Sequence, residues 1–250
     1  MKRIVLLSLI ALGFASPDIK WTAAKSGDIY FIANEGGKSI AYSVKSRIKL
    51  ITSDGFAFKD LNKNGQLDKY EDWRLSAEER AKDLASKMTV EQIAGLMLYS
   101  RHQSIPGDSE GFRKGTYHGK SLKESGAKAS ALSDQQMQFL VNDHLRHVLI
   151  TTVQSPEIAA EWNNNAQALA EGLGLGIPVN TSTDPRHGII SNAEFNEGAG
   201  GNISMWPGTL GMAATFDPEL VRNFGSVAAR EYRALGITTA LSPQVDLATE

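Results

Sequence analysis

From residue 133 onward the chain alternates short apolar runs with capped helical stretches, and this alternation limits the fold more than any other feature. Ser133 and Gln136 form a capping box that opens a helix running to about His147. Residues 148–153 (VLITTV) read as a buried strand. Ser155-Pro156-Glu157 starts a second helix that reaches about Glu171, and residues 177–183 (IPVNTST) form the next strand. A third strand is expected near residues 211–215. Asp217-Pro218-Glu219 opens a further helix ending near Gly236, and residues 237–241 (ITTAL) form a fourth strand. Repeated strand–helix units imply an α/β fold in which helices cover a parallel sheet.

Ligands of such folds, above all of barrels, gather at the carboxyl ends of the strands. Two acids stand there: Asp184 closes IPVNTSTD, and Asp246 follows ITTALSPQV. A carboxylate so placed accepts hydrogen bonds from substrate hydroxyls or does acid–base work. The plainer alternative is that each caps the next helix or turn.

Upstream, residues 60–73 read DLNKNGQLDKYEDW. The spacing fits a twelve-residue calcium loop, with Asp60, Asn62 and Asn64 at positions one, three and five and Gly65 at the sharp turn. Gln66 offers its backbone carbonyl, Asp68 sits at position nine, and Glu71 at position twelve has two oxygens to give. The preceding GFAFKD looks extended, so the helix–loop–helix pair of a sensor is missing and bound calcium would act as a structural clip. The alternative is a metal-free turn held by Asp and Asn side chains on their own backbone. Before the loop, residues 28–33 and 39–44 are strand candidates around Asn34-Glu35-Gly36-Gly37. After it, capping boxes at Ser76 and Thr89 open two helices, and residues 101–131, rich in Gly, Ser and Lys, read as a long loop.

The chain starts MKRIVLLSLIALGFASPD. A basic start, an apolar run and small residues near Ala15 read as a secretory signal peptide, which places the mature protein in the periplasm or outside the cell. No span is expected after its removal. A net charge of -2 without a basic stripe argues against nucleic acid as partner. The absence of cysteine excludes disulfides, thiolate metal sites and cysteine catalysis.

Other signals carry less. His144 and His147 have a metal-binding spacing on the expected helix, with no third ligand in view. The glycines of GLGLG (172–176) follow a helix, the wrong context for dinucleotide binding. Residues 115–121 (GTYHGKS) lack a glycine and a strand that a phosphate loop needs. Trp206 suits core packing better than a sugar platform, and no nucleophile elbow is present.

Three stretches, in order, resemble the N-terminal part of a glycoside hydrolase family 3 enzyme of the β-glucosidase type. They are FKDLNKNGQLDKYEDWRLSAEERAKDLASKMTVEQIAGLM, IPVNTSTDPRHG, and SMWPGTLGMAATFDPELVRNFG continuing to Glu250. The resemblance implies a TIM-like (β/α)8 barrel of which this chain holds the N-terminal portion. The parts would be a signal peptide (1–15), an extended segment (16–59), the EF-hand-like loop (60–71) and a partial barrel domain (72–250). It implies an exo-acting retaining β-glycosidase acting on oligosaccharides or β-glucosides without an organic cofactor. Retaining hydrolysis needs a nucleophile and an acid/base carboxyl, and the resemblance places both beyond Glu250, so the chain alone is expected to be inactive. Asp184 would hold the sugar next to the scissile bond. Arg186 and His187 would shape the loop behind it or touch substrate, and Asp246 is the lesser candidate. Same-family alternatives are β-xylosidase and β-N-acetylglucosaminidase. Different-class alternatives are a non-catalytic sugar- or calcium-binding protein and a docking module built on the calcium loop.

Overall fold

A computed structural model of the chain describes residues 19–107, 115–184, 187–188 and 203–242. The expected signal peptide, Arg186 and Asp246 lie outside them. The chain divides into two compact units, one reaching Met88 and including Glu171–Ile177, the other made of Thr89–Ala170 and the residues from Pro178 onward.

The first unit is antiparallel. β1 (Trp21–Ser26), β2 (Ile29–Asn34) and β3 (Ile40–Ser43) form a meander in that order. β2 and β3 fall where the sequence predicts strands; β1 lies in the stretch for which it predicts only an extended chain. A 3-10 turn (Val44–Ser46) leads to the hairpin β4 (Lys49–Ser53) and β5 (Phe56–Asp60). Its two central residues, Asp54 (φ 53°) and Gly55 (φ 83°), are both left-handed, the turn whose twist matches paired strands. Asn34 is 5% exposed and acts as a backbone surrogate: its Oδ1 accepts from Ala57 N at 2.7 Å and its Nδ2 donates to Ala57 O at 3.2 Å. Phe58 is fully buried, with the Trp73 ring stacked at 5.1 Å and the Arg74 guanidinium 4.8 Å from its centre. α1 (Ala77–Lys87) starts at Ser76 with both arms of the capping box formed.

The second unit is α/β. Its order is α2 (Val90–Leu96), β6 (Gln103–Ile105), α3 (Leu122–Ser125), α4 (Asp134–Val141), β7 (His147–Val153), α5 (Pro156–Gly172), β8 (Asn180–Thr183), α6 (Thr209–Ala213), α7 (Pro218–Leu235) and β9 (Thr239–Ala240). The sheet order is β6-β7-β8-β9, and every pairing is parallel. Helices supply the covering faces: α5 turns Ala159, Trp162, Ala166 and Ala170 inward at helical spacing, onto Val148, Ile150 and Tyr232. Trp162, 1% exposed, donates its indole N–H to Gln136 Oε1 at 2.9 Å, so the largest core side chain also closes its polar account.

Three expectations are corrected. Residues 211–215 are not a strand; they overlap α6, and the remaining parallel strand is β6, inside the stretch read as loop. The helix opened by Ser133 ends at Val141, not near His147. Arg146, 6% exposed, supports that end: its Nη1 donates at 2.8 Å each to Leu140 O, in the last turn of the helix, and to Leu145 O beyond it. His144 and His147 therefore share no helix: His144 is left-handed (φ 54°) and His147 begins β7, its Nδ1 3.1 Å from Asn180 Nδ2. Among the described residues no helix is long and apolar enough to cross a membrane.

Candidate functional site

Parallel pairing puts the last residues of β6, β7, β8 and β9 on one rim of the sheet. β8 is polar for a central strand, and its hydroxyls explain how it is held. Ser182 Oγ donates to Val148 O at 3.1 Å and Thr183 Oγ1 to Ile150 O at 2.7 Å, while Thr181 Oγ1 donates to Asn163 Oδ1 on α5 at 3.0 Å. All three residues are buried and satisfied. Asp184 follows at once, half-buried beyond the strand end. Its backbone carbonyl accepts from the Tyr232 hydroxyl of α7 at 3.4 Å, and Leu241 N binds Thr183 O at 2.9 Å beside it.

His187 is buried, 3% exposed, and its Nε2 lies 2.7 Å from Glu231 Oε2. Its ring meets Tyr232 and Phe224 edge to face, with centres 4.8 and 5.9 Å apart. Glu231 also accepts from Ser204 N at 3.1 Å and Ser204 Oγ at 2.8 Å. Burial opposes ionisation of Glu231, but the Ser204 and His187 bonds outweigh it and hold its pKa below the ordinary carboxylate value. The chain then returns to the same place: Trp206 N donates to His187 O at 2.6 Å, and Gly188 pairs with Trp206 as a parallel bridge. Trp206 itself packs edge-on against Phe224 at 5.3 Å and donates Nε1 to Ser204 Oγ at 2.9 Å. The sequence-expected Asp184 and His187 are thus both tied to α7, Asp184 through Tyr232 and His187 through Glu231. Sequence reasoning missed Glu231, Ser204 and Tyr232. Glu231 left one signal, as a charged residue in the inward stripe of Phe224, Ala228, Tyr232 and Leu235.

A cleft of about 570 Å³ lies elsewhere, lined by Tyr99, Arg101, Gln103, Gln138 and Leu145 beside the amino ends of β6 and β7. It contains none of the expected site residues.

In the first unit, the 60–71 loop is folded around its own polar groups. Asp60, 3% exposed, accepts from Gly65 N through Oδ2 at 3.1 Å, and Gly65 turns at φ 76°. Asn62 Oδ1 accepts from Asn64 N at 3.2 Å, and Asn64 Oδ1 from Gln66 N at 2.7 Å. Both amide groups donate to Asp68 Oδ2, at 2.7 and 2.8 Å, and Lys87 Nζ lies 2.8 Å from Asp68 Oδ1. Glu71 closes the loop, accepting from Leu61 N at 2.7 Å and Asp68 N at 3.0 Å. Burial raises its pKa above the usual range, against the lowering effect of those N–H groups. Among the described residues no three His, Cys, Asp or Glu side chains converge as a ready metal cluster; the loop's remaining oxygens are amides and a backbone carbonyl.

Residues 115–250 match the glycosyl hydrolase family 3 N terminal domain. The chain is 44% identical over 201 residues to a periplasmic beta-glucosidase/beta-xylosidase of Dickeya chrysanthemi, a match covering 80% of this chain and 28% of that protein. It is 37% identical over 182 residues to a probable beta-glucosidase C of Aspergillus oryzae, covering 72% and 26%. It is 29% identical over 127 residues to a beta-xylosidase of Formosa agariphila, covering 51% and 16%. The chain thus spans less than a third of the length of these relatives.

Proposed function

This chain belongs to glycosyl hydrolase family 3, and from that premise we propose that it contributes one wall of the sugar-binding site of an exo-acting, retaining β-glucosidase. The parallel sheet of the second unit is read as the first part of a (β/α)8 barrel, with the substrate at the strand carboxyl ends. Asp184 is the residue proposed to touch substrate. Its carboxylate accepts hydrogen bonds from hydroxyls of the terminal, non-reducing sugar, which holds the ring over the site where the glycosidic bond breaks. A charge-assisted bond of this kind is short and directional. His187 is proposed as a positioning residue, since its ring is spent on Glu231 inside the protein. The nucleophile and acid/base carboxyls of the retaining reaction are assigned to segments of the whole protein beyond this chain. No organic cofactor enters the reading, and the whole protein is proposed to work in the periplasm or outside the cell.

The observation that carries the proposal is the position of Asp184, directly past a central parallel strand and with its carbonyl bound by the Tyr232 hydroxyl of α7. The test uses the full-length enzyme and an aryl β-glucoside. Asp184→Ala is expected to lower kcat/KM by about 100-fold or more while the thermal midpoint holds. Wild-type kinetics in the variant would remove Asp184 from the site.

β-Xylosidase activity is the second reading, favoured by the names of the Dickeya and Formosa relatives. The ratio of kcat/KM for aryl β-glucoside and aryl β-xyloside decides between them.

A further inference from the structure

The carboxylate of Asp60 presents an unusual demand. The residue is 3% exposed and one oxygen, Oδ2, is satisfied by Gly65 N. The other, Oδ1, has no hydrogen-bond partner among the described residues. A buried carboxylate oxygen without a donor is costly, and the buried Tyr70 hydroxyl of the same loop makes no hydrogen bond to it. Both amide groups that could turn toward it, Asn62 Nδ2 and Asn64 Nδ2, are committed to Asp68, and Lys87 is held by Asp68 and Asp83.

We propose that the 60–71 loop is a calcium site, with Asp60 Oδ1, the Asn62 and Asn64 side-chain oxygens, the Gln66 carbonyl and the Glu71 carboxylate as ligands. Each amide oxygen now accepts one backbone N–H and keeps a second lone pair. Asp68 stays with Lys87 and reaches the ion through water, as position nine of such loops commonly does. All of these donors are hard oxygens supplied by one turn, the set that suits calcium and not a thiophilic metal. The ion would act as a clip joining the end of β5 to the segment that leads into α1. Three carboxylates with amide ligands make a weak site, in the range of extracellular calcium modules.

The experiment is terbium luminescence on the purified, full-length protein. Tyr70 and Trp73 lie in and just after the loop and serve as sensitisers. Emission should saturate and then be displaced by calcium with a Kd of about 10⁻⁴–10⁻³ M, and displaced far less well by magnesium. Calcium should also raise the thermal midpoint. Asp60→Asn and Asn64→Ala should each weaken calcium at least tenfold, roughly one ligand's worth. Asn64 is exposed, so its variant reads the site even where the Asp60 variant fails to fold. Calcium-displaceable emission that drops in a folded variant supports the site. Emission that calcium does not displace from folded wild-type protein, or wild-type affinity in every folded variant, overturns it and leaves a turn held by its own hydrogen bonds.

Discussion

Removing the Glu231 carboxylate should loosen the loop that carries Asp184 before it harms anything else. Glu231→Ala takes the acceptor from His187 Nε2 (2.7 Å), Ser204 N (3.1 Å) and Ser204 Oγ (2.8 Å). A buried donor left without a partner costs about 1–3 kcal/mol. The Glu231 side chain is 28% exposed, so water can replace its bonds to Ser204; His187, at 3%, is sealed. The sum is then about 2 kcal/mol, dominated by His187. For a unit of this size that lowers the thermal midpoint by about 4–8 °C. Glu231→Gln keeps an acceptor oxygen and should fall between the two. The assay pairs thermal unfolding with kcat and KM on an aryl β-glucoside in the full-length enzyme. If the network positions Asp184, kcat/KM falls by about tenfold or more in the Ala variant and recovers partly in the Gln variant. The pH dependence has a fixed sign. The folded pKa of Glu231 is depressed, so its contribution is full above the unfolded value of about 4.3 and fades as pH falls through the folded value. The stability gap between wild type and Glu231→Gln should therefore close on acidification below about pH 4.3. An Ala variant with unchanged midpoint and unchanged kcat/KM would refute the reasoning.

Two further tests probe the framework. Gly95→Ala in α2 would set a methyl 2.5 Å from Asp143 O and 2.6 Å from His144 O, both backbone atoms that cannot swing aside; urea unfolding should show a loss of about 1–3 kcal/mol. Asn34→Ala takes the side-chain acceptor from the fully buried Ala57 N–H, while Ala57 O keeps Trp73 Nε1 at 3.1 Å; this should cost about 1–3 kcal/mol and speed hydrogen exchange at the Ala57 amide.

The helices of this chain were legible because their starts are written in side chains. The boxes at Ser76, Thr89 and Ser133 all form as their spacing requires, and Asp217 caps α7. Strands were legible where β-branched residues run together, as in β7. They were not where the strand is short: β6 has three residues and a register shift after Gln103, so no periodicity can build up. Residues 211–215 mislead for a related reason: Gly211 is the middle of a helix of five residues, too brief to show its period, and Thr215 lies past its end. The end of α4 is supported by Arg146, a residue that acts from beyond the helix. Strand position places Asp184 at the rim, where the structure has it; its proposed contact with sugar comes from the family resemblance. The tie from His187 to Glu231 crosses 44 positions and has no local signature.

The Trp206 N–His187 O bond at 2.6 Å pins together both ends of the stretch between Gly188 and Trp206, next to Asp184. At the Trp206 end the chain is already committed: Ser204 is bonded to Glu231 of α7 and Ile203 is buried in the core, so a change there reaches α7 at once. The contact makes the chain at 187–188 and at 204–206 one mechanical unit with α7, so a disturbance entering at either end is handed on beside Asp184.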